Sequence, residues 1–295
     1  AADGTLSGKG TAAEPYLLSS ADDLKAFRDL VNGGENPACA KLTEDIDLKG
    51  EEWTPVTSLI GYLDGDGHTI SNLTLKGDSY ANTGLIGELN GSIVNLNVKN
   101  VAITDVGKSN NVGVLAGYIA DGSTSKVDNC YVSGTITSTT SGTAYIGGLV
   151  GKFGGYSASS LTLKNCVSDV NLNCKATNYV GGLVGITQWN CDVTVTNCTI
   201  LGNVTSDGYN GYAGGLFGSY YTGTLSIENI IVAGKITGTK KGVIAYATST
   251  PTSTTVKNFY YNSELNSDEK SGSGTTPFPI FPKRSGSVTI AGEVT

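Results

Sequence analysis

The chain has 295 residues and a formal net charge of −7, and only 15% of its residues are charged, below the roughly 25% of an average globular domain. This acidity argues against non-specific nucleic-acid binding, which needs Lys and Arg to neutralise phosphates, and no apolar run approaches the roughly 18 residues of a membrane helix. Forty-one glycines suggest low complexity, but regularly spaced Val, Ile and Leu point to a packed chain.

In chain order, the opening "AADGTLSGKG" carries no visible signal peptide and would suit a mature protein that has lost one. Residues 20–32 then read as an amphipathic helix. Leu24, Phe27, Leu30 and Val31 share a face, Ser20 and Asp23 make a capping box, and Gly33 stops it. "DGDGHTI" from Asp64 to Ile70 resembles a calcium loop only faintly: further ligands and a closing glutamate are missing, so a tight turn before a strand is expected.

From here the chain repeats itself. A glycine block reads "TGLIG", "GVLAG", "GGLVG", "GGLVG", "GGLFG" and finally "GVIAY". Its apolar centre falls at Leu85, Leu115, Leu149, Leu183, Leu216 and Val243, at intervals of 30, 34, 34, 33 and 27 residues. A second motif keeps step, with asparagine at Asn95, Asn129, Asn165, Asn197, Asn229 and Asn258 and an earlier relative at Asn72. A third segment, such as "SGTIT" or "LGNVT", follows. Three short β-like segments per repeat, rich in β-branched residues, predict an all-β fold. The expected form is a right-handed parallel β-helix with three strands per rung and an N-terminal α-helical cap, because an open solenoid end exposes core and strand edges. The expected organisation is a cap over 1–50, rungs over 51–262, and a C-terminal loop with a cap or linker over 263–295.

Parity assigns the inner face. Cys130, Val132, Gly134 and Ile136 lie two apart, as do Cys166, Ser168, Val170, Leu172 and Cys174. The asparagine before each such run tolerates left-handed backbone angles, and stacked amides can pair along the axis, so Asn95 through Asn258 are expected to form a ladder. Cys130, Cys166 and Cys198 share a repeat position that elsewhere holds Leu96, Ile230 and Phe259. They are therefore expected to be reduced, apolar packing residues. Cys174 and Cys191 lie outside that position and could pair; Cys39 has no evident partner.

Catalytic and metal chemistry finds little support. The glycine blocks lack the Lys-Ser or Lys-Thr ending of a phosphate loop, and a phosphate site is needed once whereas a bend is needed on every rung. His68 is the sole histidine and has no nucleophile signature beside it. Asp45, Asp47, Asp64 and Asp66 form the densest acidic group and read as solvated turns. No catalytic residue, metal ligand or cofactor is assigned. Tyr145, Tyr179 and Tyr212 share a repeat position and should stack along one side. Trp189, Tyr209, Tyr220 and Tyr221 fall in variable turns, where binding residues concentrate, and are the candidate ligand-binding side chains.

The combination of "GGLVG", "NC" and "SGTIT" resembles the GLUG motif of bacterial surface proteins. The opening "GTAAEPYLLSSADDLKAFRDLVNGG" with "LDGDGHTISNLTL" matches what such proteins carry before their repeats, so the resemblance covers residues 5–262. It implies a secreted or surface-anchored bacterial protein, adhesin-like, on a right-handed β-helix, and it brings no catalytic residues. Neither a lipidation cysteine near the start nor a wall-sorting signal at the end is present. The expected function is non-catalytic binding of a host-cell or extracellular-matrix glycan or protein by a monomer, extracellular or on the cell surface, without nucleic-acid binding or membrane insertion. A carbohydrate-active β-helix enzyme and a structural stalk are the alternatives.

Overall fold

The computed structural model describes residues 6–107, 110–138, 142–175, 179–208, 210–246, 252–262 and 265–266. Among them one helix, Ala21–Asn32, accompanies short strands wound into a parallel β-solenoid of about six turns. Successive rungs pair at the repeat spacing. Ile136, Leu172, Val204 and Ile236 form one column, and Leu163, Val195, Ile227 and Val256 another.

The three expected segments per rung resolve into four, because the glycine block is folded in two. Tyr145–Gly147, Tyr179–Gly181 and Tyr212–Gly214 belong to a small sheet of their own. Val150–Phe153, Val184–Thr187 and Phe217–Tyr220 continue in the large sheet. The corner between them stays hydrogen-bonded from rung to rung: the Leu149 carbonyl accepts from Leu115 N and Ala116 N, and the Leu183 carbonyl from Leu149 N and Val150 N. Close backbone approach explains the glycines here. A Cβ on Gly182 would lie 2.1 Å from the Gly215 carbonyl oxygen, and one on Gly151 would lie 2.3 Å from Val112 N. The block is thus a backbone corner repeated on every rung.

The corner drives its apolar centre inward. Leu85, Leu115, Leu149, Leu183 and Leu216 are fully buried, each worth roughly 1.5–3 kcal/mol relative to exposure. They belong to one core cluster that runs from Leu18 to Tyr261. The helix closes the N-terminal end of this core with Leu24, Phe27 and Val31, while Leu30 stays exposed. Its N-cap is Ser20, whose hydroxyl accepts from Asp23 N (3.2 Å). The Asp23 carboxylate reaches one residue beyond the expected capping box, accepting from Ser19 N (2.9 Å) and the Ser19 hydroxyl (2.7 Å). Burial acts to raise this carboxyl, but the hydrogen bonds it accepts hold it well below the ordinary range.

Asn72, Asn95, Asn129, Asn165, Asn197, Asn229 and Asn258 all have φ between 49° and 60°, the left-handed region that asparagine tolerates. Their amides link rungs. Asn129 Nδ2 donates to Asn95 Oδ1 (2.9 Å), Asn197 to Asn165 (3.1 Å), Asn229 to Asn197 (2.9 Å) and Asn258 to Asn229 (2.8 Å). An aspartate replaces the preceding asparagine as acceptor at two places: Asn165 Nδ2 donates to Asp128 Oδ1 and Asn95 Nδ2 to Asp64 Oδ1 (both 3.0 Å). All six cysteines are free and buried, including Cys174 and Cys191. The Cys130, Cys166 and Cys198 thiols each lie within hydrogen-bond range of the carbonyl two residues earlier. Burial pushes the Cys130 and Cys174 thiols up, and that of Cys191 up to about 12, so these sulfurs remain protonated packing groups at neutral pH. Apart from Leu265 and Asn266, the expected C-terminal loop and cap lie outside the described residues.

Candidate functional site

Each rung leaves the second strand segment through a turn of variable length, and three successive turns carry an aromatic ring. Tyr156 is 79% exposed and Trp189 37% exposed, and Tyr221 is half-buried. The Tyr156 and Trp189 rings stack nearly parallel, with centroids 5.5 Å apart and 6° between planes. Trp189 and Tyr221 meet at 4.8 Å and 48°.

The polypeptide around the rings is held in place. Asp121, one rung earlier, accepts from Tyr156 N (3.1 Å), Ser157 N (2.9 Å) and the Ser157 hydroxyl (3.2 Å). Burial acts to raise the Asp121 carboxyl, and these bonds keep it below its usual value. Asn190, in the left-handed region at φ 57°, donates from Nδ2 to the Tyr156 carbonyl (3.2 Å) and from its backbone N to the Thr222 hydroxyl (3.2 Å). The turn bearing Trp189 is thereby tied to the turns on both sides.

The candidate residues read from sequence divide. Trp189 and Tyr221 stand together on this face. Tyr220 does not: it is fully buried, and its hydroxyl lies 3.0 Å from the Cys191 carbonyl oxygen and 3.1 Å from that of Thr224. It is the last residue of Phe217–Tyr220 and takes the register position of Thr187, itself aligned with Phe153. That position faces the core, so Tyr220 is withdrawn as a binding residue. Tyr209 lies outside the described residues. Tyr156 is the member that sequence reasoning missed. The signal was its spacing of 33 residues from Trp189, against 32 from Trp189 to Tyr221.

Beside these turns runs the column set by the shared repeat position. Tyr145 and Tyr179 meet at 5.4 Å, and Tyr179 and Tyr212 stack at 4.4 Å and 5°. Tyr246 meets Tyr212 edge-on at 5.2 Å, and Lys240 Nζ lies 4.6 Å from the Tyr212 ring centroid. Burial pushes the Tyr179 phenol up, with Tyr221, Tyr212 and Tyr145 adding to the shift. Burial likewise raises Tyr145, again with Tyr221 adding.

The acidic group near the start serves the turns. Asp45 accepts from Thr69 N (2.8 Å) and lies 3.3 Å from His68 Nδ1. Asp47 accepts from Asn72 Nδ2 and Lys49 N (both 2.7 Å). Asp64 accepts from Asn95 Nδ2 and Asp66 N, while Asp66 pairs with Lys41. Among the described residues no group of three or more His, Cys, Asp or Glu side chains is arranged to hold a metal ion. Nor is any helix among them long and apolar enough to cross a membrane.

These features define a parallel β-solenoid whose corner and asparagine motifs recur on each rung. The family described as the GLUG motif matches residues 108–137. Halomucin from Haloquadratum walsbyi is 37% identical over 127 residues, covering 38% of this chain and 1% of that protein. The chain thus spans about one hundredth of the length of that relative. A crystal structure of a proposed immunoglobulin A1 protease from Bacteroides ovatus superposes with a TM-score of 0.55 at 17% identity, covering 95% of this chain and 83% of the other. That likeness is one of fold.

Proposed function

We propose that the protein is a non-catalytic recognition scaffold of the cell exterior, adhesin-like in presenting a repeated face to a host or matrix ligand. The observation that carries this reading is the ring column Tyr156, Trp189 and Tyr221, standing on three successive turns. Tyr156 is 79% exposed, so most of its ring adds no burial to folding, and Trp and Tyr supply rigid contact area with a polar tip. Solenoids offer long continuous surfaces suited to such contacts. The similarity to halomucin and the GLUG repeat support an extracellular or surface setting. The stalk reading draws on the same rung stack but leaves the exposed rings without a role.

The test replaces Tyr156, Trp189 and Tyr221 together with serine and measures adhesion to cultured epithelial cells and to immobilised mucin. Truncation of central interface aromatics costs about 2 kcal/mol or more, so adhesion should fall at least about thirtyfold. Equal adhesion by the unaltered protein and a variant with an unchanged circular dichroism spectrum refutes the reading.

A further inference from the structure

The turn rings and the tyrosine column come from different parts of the repeat, yet the two arms that carry them fold together. The second arm of the glycine block, which leads into the turn rings, lies against the first arm beside the tyrosines: a Cβ on Gly185 would lie 2.4 Å from Ile146 N and 2.7 Å from the carbonyl carbon of Tyr145, and one on Gly218 would lie 2.6 Å from that of Tyr179. We propose that the two columns form one binding face for a neutral, extended polysaccharide laid along the solenoid axis. This inference rests on the recognition reading above and names its ligand class.

Three observations select that ligand. The first is periodicity. Rungs follow one another at about 4.8 Å, and Tyr145, Tyr179 and Tyr212 repeat the same group on each. A polymer of like units meets like groups at every step, whereas a folded protein surface has no such translation. The second is charge. The chain carries −7 overall, and Lys240, beside the tyrosine column, is engaged: its Nζ lies 4.6 Å from the Tyr212 ring centroid and 3.1 Å from the Tyr212 hydroxyl. A polyanion would meet net repulsion. The third is the open ring at the end of the turn column. Trp189 covers one face of Tyr156, and the tyrosine is still 79% exposed. Its other face is open to the apolar C–H face of a sugar, while the phenol hydroxyls of the tyrosine column can exchange hydrogen bonds with sugar hydroxyls.

The test is electrophoresis of the unaltered chain through native gels containing barley β-glucan, galactomannan or starch, with heparin and polygalacturonate as anionic comparators. At least one neutral polymer should retard the protein more than either anionic one. Replacing Tyr156 and Trp189 with serine should abolish the retardation. The triple variant Tyr145→Phe, Tyr179→Phe and Tyr212→Phe keeps the rings and removes three hydroxyls, so it should weaken retention by about tenfold. If no neutral polymer retards the protein, or if an anionic one does so more strongly, the ligand class is overturned; loss of cell or mucin adhesion in the serine variant would then leave the recognition reading standing. Retention unchanged by the three phenylalanines confines the site to the turns and overturns the joined face.

Discussion

Asn197 allows the two contributions of the asparagine row to be separated. The residue has φ 53°, donates to Asn165 Oδ1 at 3.1 Å and accepts from Asn229 Nδ2 at 2.9 Å. Asn197→Gly removes both amide bonds and leaves the backbone free to stay left-handed. The site is solvent-exposed, so each bond belongs near the low end of the usual range and the loss should total about 1–2 kcal/mol. Asn197→Ala removes the same bonds and also places a Cβ in the left-handed region, which adds about 1–2 kcal/mol. Alanine should therefore cost about 2–4 kcal/mol and glycine about half of that. Urea denaturation followed by circular dichroism measures both as midpoint shifts at constant slope. Equal midpoints for the two variants, or a more stable alanine variant, would show that the left-handed backbone is not what the asparagine supplies.

Gly182→Ala should be more damaging than either change, at about 3 kcal/mol or more, because the new methyl meets the Gly215 carbonyl at 2.1 Å and backbone must move; a thermal midpoint within a degree of the unaltered protein would contradict the corner argument. Cys130, Cys166 and Cys198 should resist alkylation until the chain unfolds; Cys166→Ala should cost on the order of 1 kcal/mol and Cys166→Asp several, since the aspartate buries a charge. Peptide mapping that finds any of the three in a disulfide would overturn that assignment. Asp23 is a depressed carboxyl, so its contribution is complete above the ordinary carboxylate range and disappears as pH falls through its lower folded-state value. Asp23→Asn should thus lower stability at neutral pH and lose that deficit in strong acid, as acid-dependent melting curves can check.

The repeat length, the inward parity of Val132, Ile136, Val170 and Leu172, and the helix over Ala21–Asn32 were legible because each rests on a period that the chain repeats or a cap that it spells out. The folded glycine block was harder to read. Its two arms are three or four residues long, too short for alternation to show a change of direction, and the turn depends on backbone contacts between rungs. Tyr220 was misplaced for a related reason: neighbours in a strand face opposite ways, and the inward register of Tyr220 emerges only from its alignment with Thr187 and Phe153. Tyr156 was hidden by turn length. It lies seven residues after Leu149, whereas Trp189 lies six after Leu183 and Tyr221 five after Leu216, so a count from the motif leucines does not superimpose them.

The hydrogen bonds of the asparagine row join residues 32 positions apart from Asn165 through Asn197 to Asn229. In each, a rung offers an amide N–H on one side and an amide oxygen on the other. Such an interface is complementary to itself under translation, so a rung copied by gene duplication meets its neighbours with surfaces they already fit. An inserted unit needs no compensating change elsewhere, and a deleted one leaves matched edges behind. Length then becomes a property that recombination can adjust in whole rungs, while the ring on each variable turn can diverge without disturbing the joint that holds it.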